Sequence, residues 1–186
     1  MWIRVWNEMT PREKTLIFFD DFLKELGIDY MIFASTLLGI VRDGKMLEHD
    51  TEIDLCVRGK DITNKQVDQI KASGYYTGLY NCKEKFGELY IAKEGYMDAT
   101  DGWVAISHLW VKNNTGYINI EGRDCITMHP RYHNKDKWGT LKYIGREFKC
   151  PQNPKRWLKE WYGDDWETPK AGHWKENTNR KLWGDI

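Results

Sequence analysis

A chain of 186 residues is of one-domain size and long enough to enclose a hydrophobic core, so residues 1–186 are read as a single compact unit. Its 28 basic residues against 28 acidic ones leave no net charge, which argues against a broad polyanion-binding face and hence against a nucleic-acid binder. No apolar run approaches the roughly 20 residues of a membrane span and no basic-then-apolar leader is present, so the expectation is a soluble, cytoplasmic protein.

In chain order, Thr10-Pro11-Arg12-Glu13 forms a capping box with proline at the first helical position. The apolar residues Leu16, Phe19, Phe22, Leu23 and Leu26 follow at helical spacing and predict a helix that runs to Gly27. Tyr30 to Ala34 is a short apolar run that predicts a buried strand feeding the Ser35-Thr36 turn, and Thr36 to Arg42 then predicts a short helix. Glu52 to Arg58 predicts the second strand. Thr63-x-x-Gln66 is another capping box, opening a helix that stops near Gly74. Beyond it, Tyr75 to Tyr80, Leu89 to Lys93, Trp103 to Lys112, Tyr117 to Ile120 and Lys142 to Phe148 are rich in aromatic and β-branched residues and read as strands. Asn113-Asn114-Thr115-Gly116 reads as a hairpin turn between two of them. Asn153-Pro154 starts a last helix through Trp157, Leu158, Trp161 and Tyr162 to Gly163, and the polar tail after Pro169 is expected to be extended or partly disordered. The fold class expected is α/β, an α+β mixed sheet with flanking helices and a strand-rich C-terminal half. Ten Trp and ten Tyr suit core packing, stacking on a base or sugar, or a partner surface. Cys56, Cys82, Cys125 and Cys150 are widely spaced, without a Cys-x-x-Cys pair, and predict reduced structural thiols.

The chemistry gathers between Ser35 and Val57. Side chains at i and i+2 of a strand share a face, so Glu52 and Asp54 point together while Ile53, Leu55 and Val57 point to the core. Two carboxylates on a buried-type strand repel each other and resist desolvation, which predicts a cation between them, Mg2+ or Mn2+ by the hardness of their oxygens. Ser35 and Thr36 offer hydroxyls and helix N-terminal N–H groups to a phosphate. Arg42, near the other end of that helix, has a fork suited to a second pair of phosphate oxygens. His49 beside Asp50 is read as structural or exposed, with orientation of a carboxylate or action as a base as the alternative. Five histidines without a His-x-x-x-His spacing give no support for zinc.

These residues resemble the LicD family of phosphocholine transferases and fukutin-type phosphotransferases, within the nucleotidyltransferase superfamily. Ser35-Thr36-Leu37-Leu38-Gly39-Ile40-Val41-Arg42 matches the family's Gly-Thr-Leu-Leu-Gly-x-x-Arg, and Asp50-Thr51-Glu52-Ile53-Asp54 matches its acidic run. Phe148-Lys149-Cys150-Pro151, Trp157-Leu158, Tyr162-Gly163-Asp164-Asp165-Trp166, Pro169 and His173 resemble its C-terminal part. Ser35 stands where the family has glycine, and Thr51 replaces a carboxylate. The resemblance implies a nucleotidyltransferase-like core, with Glu52 and Asp54 as metal ligands and Ser35, Thr36, Gly39, Arg42, Asp50 and His173 as phosphate- or substrate-binding residues. It also implies a third carboxylate on a later strand: Asp98 is preferred, with Asp101 and His108 as alternatives, and a plain turn before Gly102 explains both acids equally well.

The activity so implied is transfer of a phospho-substituent (phosphocholine, ribitol phosphate or similar) from a CDP-activated donor to a carbohydrate hydroxyl, with CMP leaving. Nucleotidyl transfer from an NTP to a small molecule, protein or RNA is the second expectation, because the same ligands serve it. A degenerate module that binds a nucleotide or glycan without turnover is the third, motivated by Ser35 and Thr51.

Overall fold

The computed structural model describes residues 6–58, 62–80, 88–93, 103–112, 115–120, 123–128 and 135–170. Asp98, Asp101, His173, Cys82 and the segment after Lys170 lie outside them. Helix α1, Pro11–Glu25, opens with the expected capping box: Thr10 accepts from the Glu13 N–H, and the Glu13 carboxylate accepts from the Thr10 N–H at 2.7 Å. It buries Leu16, Phe19 and Leu23 together with Asp20, whose carboxylate accepts from the Tyr30 hydroxyl at 2.7 Å and pairs with Lys24 and Arg146.

Strand β1 (Tyr30–Ile32) is shorter than the apolar run suggests, because helix α2, Ala34–Asp43, begins two residues earlier than Thr36. Strand β2 (Glu52–Arg58) follows, then helix α3 (Asn64–Ala72), whose Thr63–Gln66 capping box also forms. The remaining sheet strands are β3 (Tyr75–Tyr80), β4 (Glu88–Lys93), β5 (Trp103–Lys112), β6 (Thr115–Ile120) and β7 (Arg123–Met128). They form one mixed sheet in the order β1-β2-β5-β4-β3, with β6 on the far part of β5 and β7 on β6. Among the described strands of this sheet, the β2–β5 pair alone is parallel and the others are antiparallel. Lys112 pairs with Thr115 and Val111 with Gly116, so Thr115-Gly116 belong to strand β6 and not to the expected turn, while Asn113-Asn114 lie outside the described residues. Strand β7 was not expected, since Arg123-Asp124-Cys125 breaks the apolar alternation that marks the others.

Lys142 to Phe148 is not one strand. It is the centre of a hairpin, β8 (Gly139–Tyr143) and β9 (Arg146–Cys150), turned by Ile144 at φ +44° and Gly145 at φ +76°. Two positive φ values in a two-residue loop are what the right-handed strand twist requires, and a β-branched residue at the first gives no sequence signal for it. Helix α4, Pro154–Tyr162, closes the described chain and stacks Trp157 on Trp161 with ring centres 4.7 Å apart, both against Phe33. The core runs through Phe33, Ile53, Leu55, Val104, Ile106 and Trp157, so both the central strands and this helix are packed on it.

Burial pushes the Cys150 thiol up to about 11 from an ordinary 9. Burial first, and then the adjoining Asp20 and Glu13 carboxylates, lift the phenols of Tyr30 and Tyr143 above their usual 10. These groups keep protons in the folded chain that the unfolded chain releases, so stability is full below pH 9 and declines as pH rises from 9 through 11. The thiol alone contributes a slope of up to about 1.4 kcal/mol per pH unit. Urea midpoints measured at pH 8 and pH 11 should differ accordingly, and equal midpoints would contradict the assignment.

Candidate active site

The junction between β1 and α2 sets the geometry. Phe33 is the residue preceding α2 and has no side chain able to cap it, and Ala34 takes φ +46°, a left-handed value that costs a non-glycine residue about 1 kcal/mol or more. The cap comes instead from across the sheet: the Ser35 N–H donates to the Asp54 carboxylate at 2.9 Å, and the Asp54 N–H donates to the Thr36 hydroxyl at 2.9 Å. An acid at the positive end of a helix is favourable, which helps to hold Asp54 at only 8% exposure. Substituting Ala34 by glycine is expected to leave stability unchanged or raise it by up to about 1 kcal/mol, where the same change at an ordinary helical position costs about that amount. A fall in melting temperature would contradict the left-handed assignment.

The Ser35 hydroxyl lies within hydrogen-bond reach of both the Asp50 and the Asp54 carboxylates. Two oxygens bonded to one hydroxyl lie no more than about 6 Å apart, and a hydroxyl has a single proton to give. The second carboxylate therefore gains nothing from that proton, and the three oxygens form a hard, electron-rich cup suited to a small divalent cation. Glu52 shares the face of Asp54 by strand alternation and sits half-exposed at the start of β2, where its N–H donates to the other Asp50 oxygen at 3.0 Å. The carboxylate that closes on Asp54 through Ser35 is thus Asp50, from the loop, which the residue pattern alone left out of the pair.

The other expected residues lie as follows. Arg42 is seven residues along α2 from Ser35, about 10 Å down the axis, and its guanidinium is held by Asp43 through two bonds of 2.8 Å that raise its own pKa and lower that of Asp43. Gly39 packs the middle of α2 against the loop before β2, where an added Cβ would lie 2.7 Å from the Lys45 carbonyl oxygen and 2.8 Å from the Leu47 nitrogen. His108 is opposite Val57 in the β2–β5 register, which assigns it to the face away from Glu52 and Asp54. The β5 residues paired with β2 on the carboxylate face are Trp103, Ala105, Ser107 and Leu109, opposite Glu52, Asp54, Cys56 and Arg58, so none of them is a third acid. Among the described residues no three His, Cys, Asp or Glu side chains are grouped as ion ligands. A two-carboxylate set still fits Mg2+ or Mn2+, which commonly binds through one or two carboxylates with water and substrate phosphates completing the shell.

Sequence reasoning missed the support of Asp50. Arg12, read only as part of a capping box, donates to the Asp50 carbonyl and, at 2.6 Å, to the Leu47 carbonyl. The available signal was a cation in the first turn of a helix, where the dipole disfavours one unless a tertiary partner holds it.

Two comparisons bear on what this site belongs to. Residues 27–153 match the family model described as LicD/FKTN/FKRP, nucleotidyltransferase domain, a span that includes β1, α2, the Asp50 loop and β2. A search of curated proteins finds no match.

Proposed function

Because the chain belongs to the LicD/FKTN/FKRP nucleotidyltransferase-domain family, whose members are phosphotransferase-type transferases, we propose a specific reaction: a CDP-activated phospho-substituent is transferred to a glycan hydroxyl, with Mg2+ or Mn2+ held by Asp50 and Asp54. The observation that supports this reading is the convergence of those two carboxylates on Ser35 at the start of α2. A divalent ion bound there supplies charge neutralisation for a diphosphate and for the oxygen that leaves it. Asp54 is fixed for this task from both sides, its carboxylate by the Ser35 N–H and its backbone by Thr36. Glu52, half-exposed at the start of β2 on the same face, suits joining the ligand set or ordering water around it. Trp103, opposite Glu52 in the register, is an aromatic on the same face and suits stacking on a base or sugar ring. In the transfer, the acceptor hydroxyl oxygen forms a bond to the phosphorus bearing the headgroup and gives up its proton to water, the bond from that phosphorus to the bridging oxygen breaks, and CMP departs with the electron pair.

A second reading has its own observation. Asp54 already caps α2, a structural task that a non-catalytic domain would also need. Incubation of the purified protein with Mg2+ and a carbohydrate acceptor, and with either a CDP compound (CDP-choline, CDP-ribitol or CDP-glycerol) or a labelled NTP, separates the readings. Release of CMP with a phosphorylated acceptor is the expected result. Pyrophosphate release from an NTP would replace the proposal with nucleotidyl transfer, and binding of either nucleotide without turnover would replace it with a binding module.

A further inference from the structure

The turn that carries the Asp50 carboxylate to Ser35 is tied down from outside the sheet. The Asp50 N–H donates to the Leu47 carbonyl at 3.1 Å, closing a turn over Leu47 to Asp50, and Arg12 spans both carbonyls of that turn with its two terminal nitrogens. Its neighbour Glu13 accepts from the Tyr143 hydroxyl at 2.6 Å, and the same hydroxyl accepts from the Met46 N–H at 3.4 Å, one residue before the turn. Gly39 closes on Lys45 and Leu47 from the remaining side. The first turn of α1, the end of β8 and the middle of α2 therefore converge on one loop, whose product is the position of a single carboxylate. Arg12 precedes the segment matched by the family model, so nothing in that match assigns it a part.

We propose that Arg12 is a positioning residue for the cation site, acting through Asp50: by bridging the Leu47 and Asp50 carbonyls it holds the Asp50 carboxylate against Ser35 and Asp54. A guanidinium is suited to this because its planar fork satisfies two acceptors at once, whereas a lysine ammonium on a flexible stem does not reproduce the same bridge. The proposal rests on the cation-dependent reading above and concerns what makes that site, in this chain, tight enough to load. Supporting groups outside the ligand shell typically change metal affinity by 10- to 100-fold.

The test is Mn2+ binding followed by electron paramagnetic resonance, in wild type, Arg12→Lys, Arg12→Ala and Asp54→Asn, with far-UV circular dichroism and melting temperature recorded for each. The expected result is saturable binding in wild type, its loss in Asp54→Asn, and binding weakened about tenfold or more in both Arg12 variants while their dichroism stays that of wild type. Where Arg12→Ala fails to fold, Arg12→Lys decides by the same criterion. Wild-type affinity in a folded Arg12 variant would overturn the positioning role and leave the cation reading standing. A wild-type protein that binds no Mn2+ would overturn the cation reading itself, and the positioning role with it.

Discussion

Asp54→Asn is expected to abolish transfer, lowering the rate by about a thousandfold or more, while leaving the fold in place. The substitution keeps the size of the side chain and an oxygen able to accept from the Ser35 N–H, so α2 retains its cap. What it removes is the charge that opposes a divalent ion. A thousandfold is about 4 kcal/mol of transition-state stabilisation, the scale expected when an ion that clamps a diphosphate is lost. The stability effect is expected to be much smaller, because asparagine and aspartate cap helices about equally and the dipole contribution is below about 1 kcal/mol at most sites. Steady-state CMP release and a thermal melt on the same preparation check both halves. Full activity in the variant would mean that Asp54 only caps the helix.

Gly39→Val should show the largest loss of stability, about 3 kcal/mol, together with a loss of activity at a distance from the site. The new side chain would press on the Lys45 carbonyl oxygen and the Leu47 nitrogen, which are backbone atoms and have no rotamer to yield. Relief requires α2 to move away from the loop or the loop to shift along β2, and the second route displaces Asp50, three residues after Leu47 and held by the same Arg12 bridge. A denaturant midpoint lowered without change in slope, with weaker activation by Mg2+ in the remaining folded protein, is the expected pair of observations. Unchanged stability would mean that the close packing of α2 on this loop is wrong.

The parts of the fold that were legible in the sequence are those specified locally. Both capping boxes form, and β2 occupies the span read for it, because Thr10-to-Glu13, Thr63-to-Gln66 and the alternation from Glu52 to Arg58 each need only neighbours a few residues away. The β8–β9 turn was not legible, since Ile144 at positive φ is tolerated by the hairpin around it and carries none of the Asn or Gly preference that marks such turns. Within the candidate site, the proximity of Ser35 and Asp54 follows from a strand and helix that are neighbours in sequence. The Arg12 bridge does not, because it joins residues 35 and 38 positions apart, and nothing in a capping box points to its target. Arg42 lies at the other end of α2 from Ser35, as the sequence reading has it; what the sequence did not show is that its guanidinium is paired with Asp43.

The measurement closest to the central claim is a crystal structure grown with Mn2+ and a CDP compound, with the metal located by its anomalous signal. The account predicts a peak bonded to the Asp50 and Asp54 carboxylates beside Ser35, with diphosphate oxygens completing its shell. A peak elsewhere with those carboxylates still closed on Ser35, or no peak at saturating Mn2+, would contradict it.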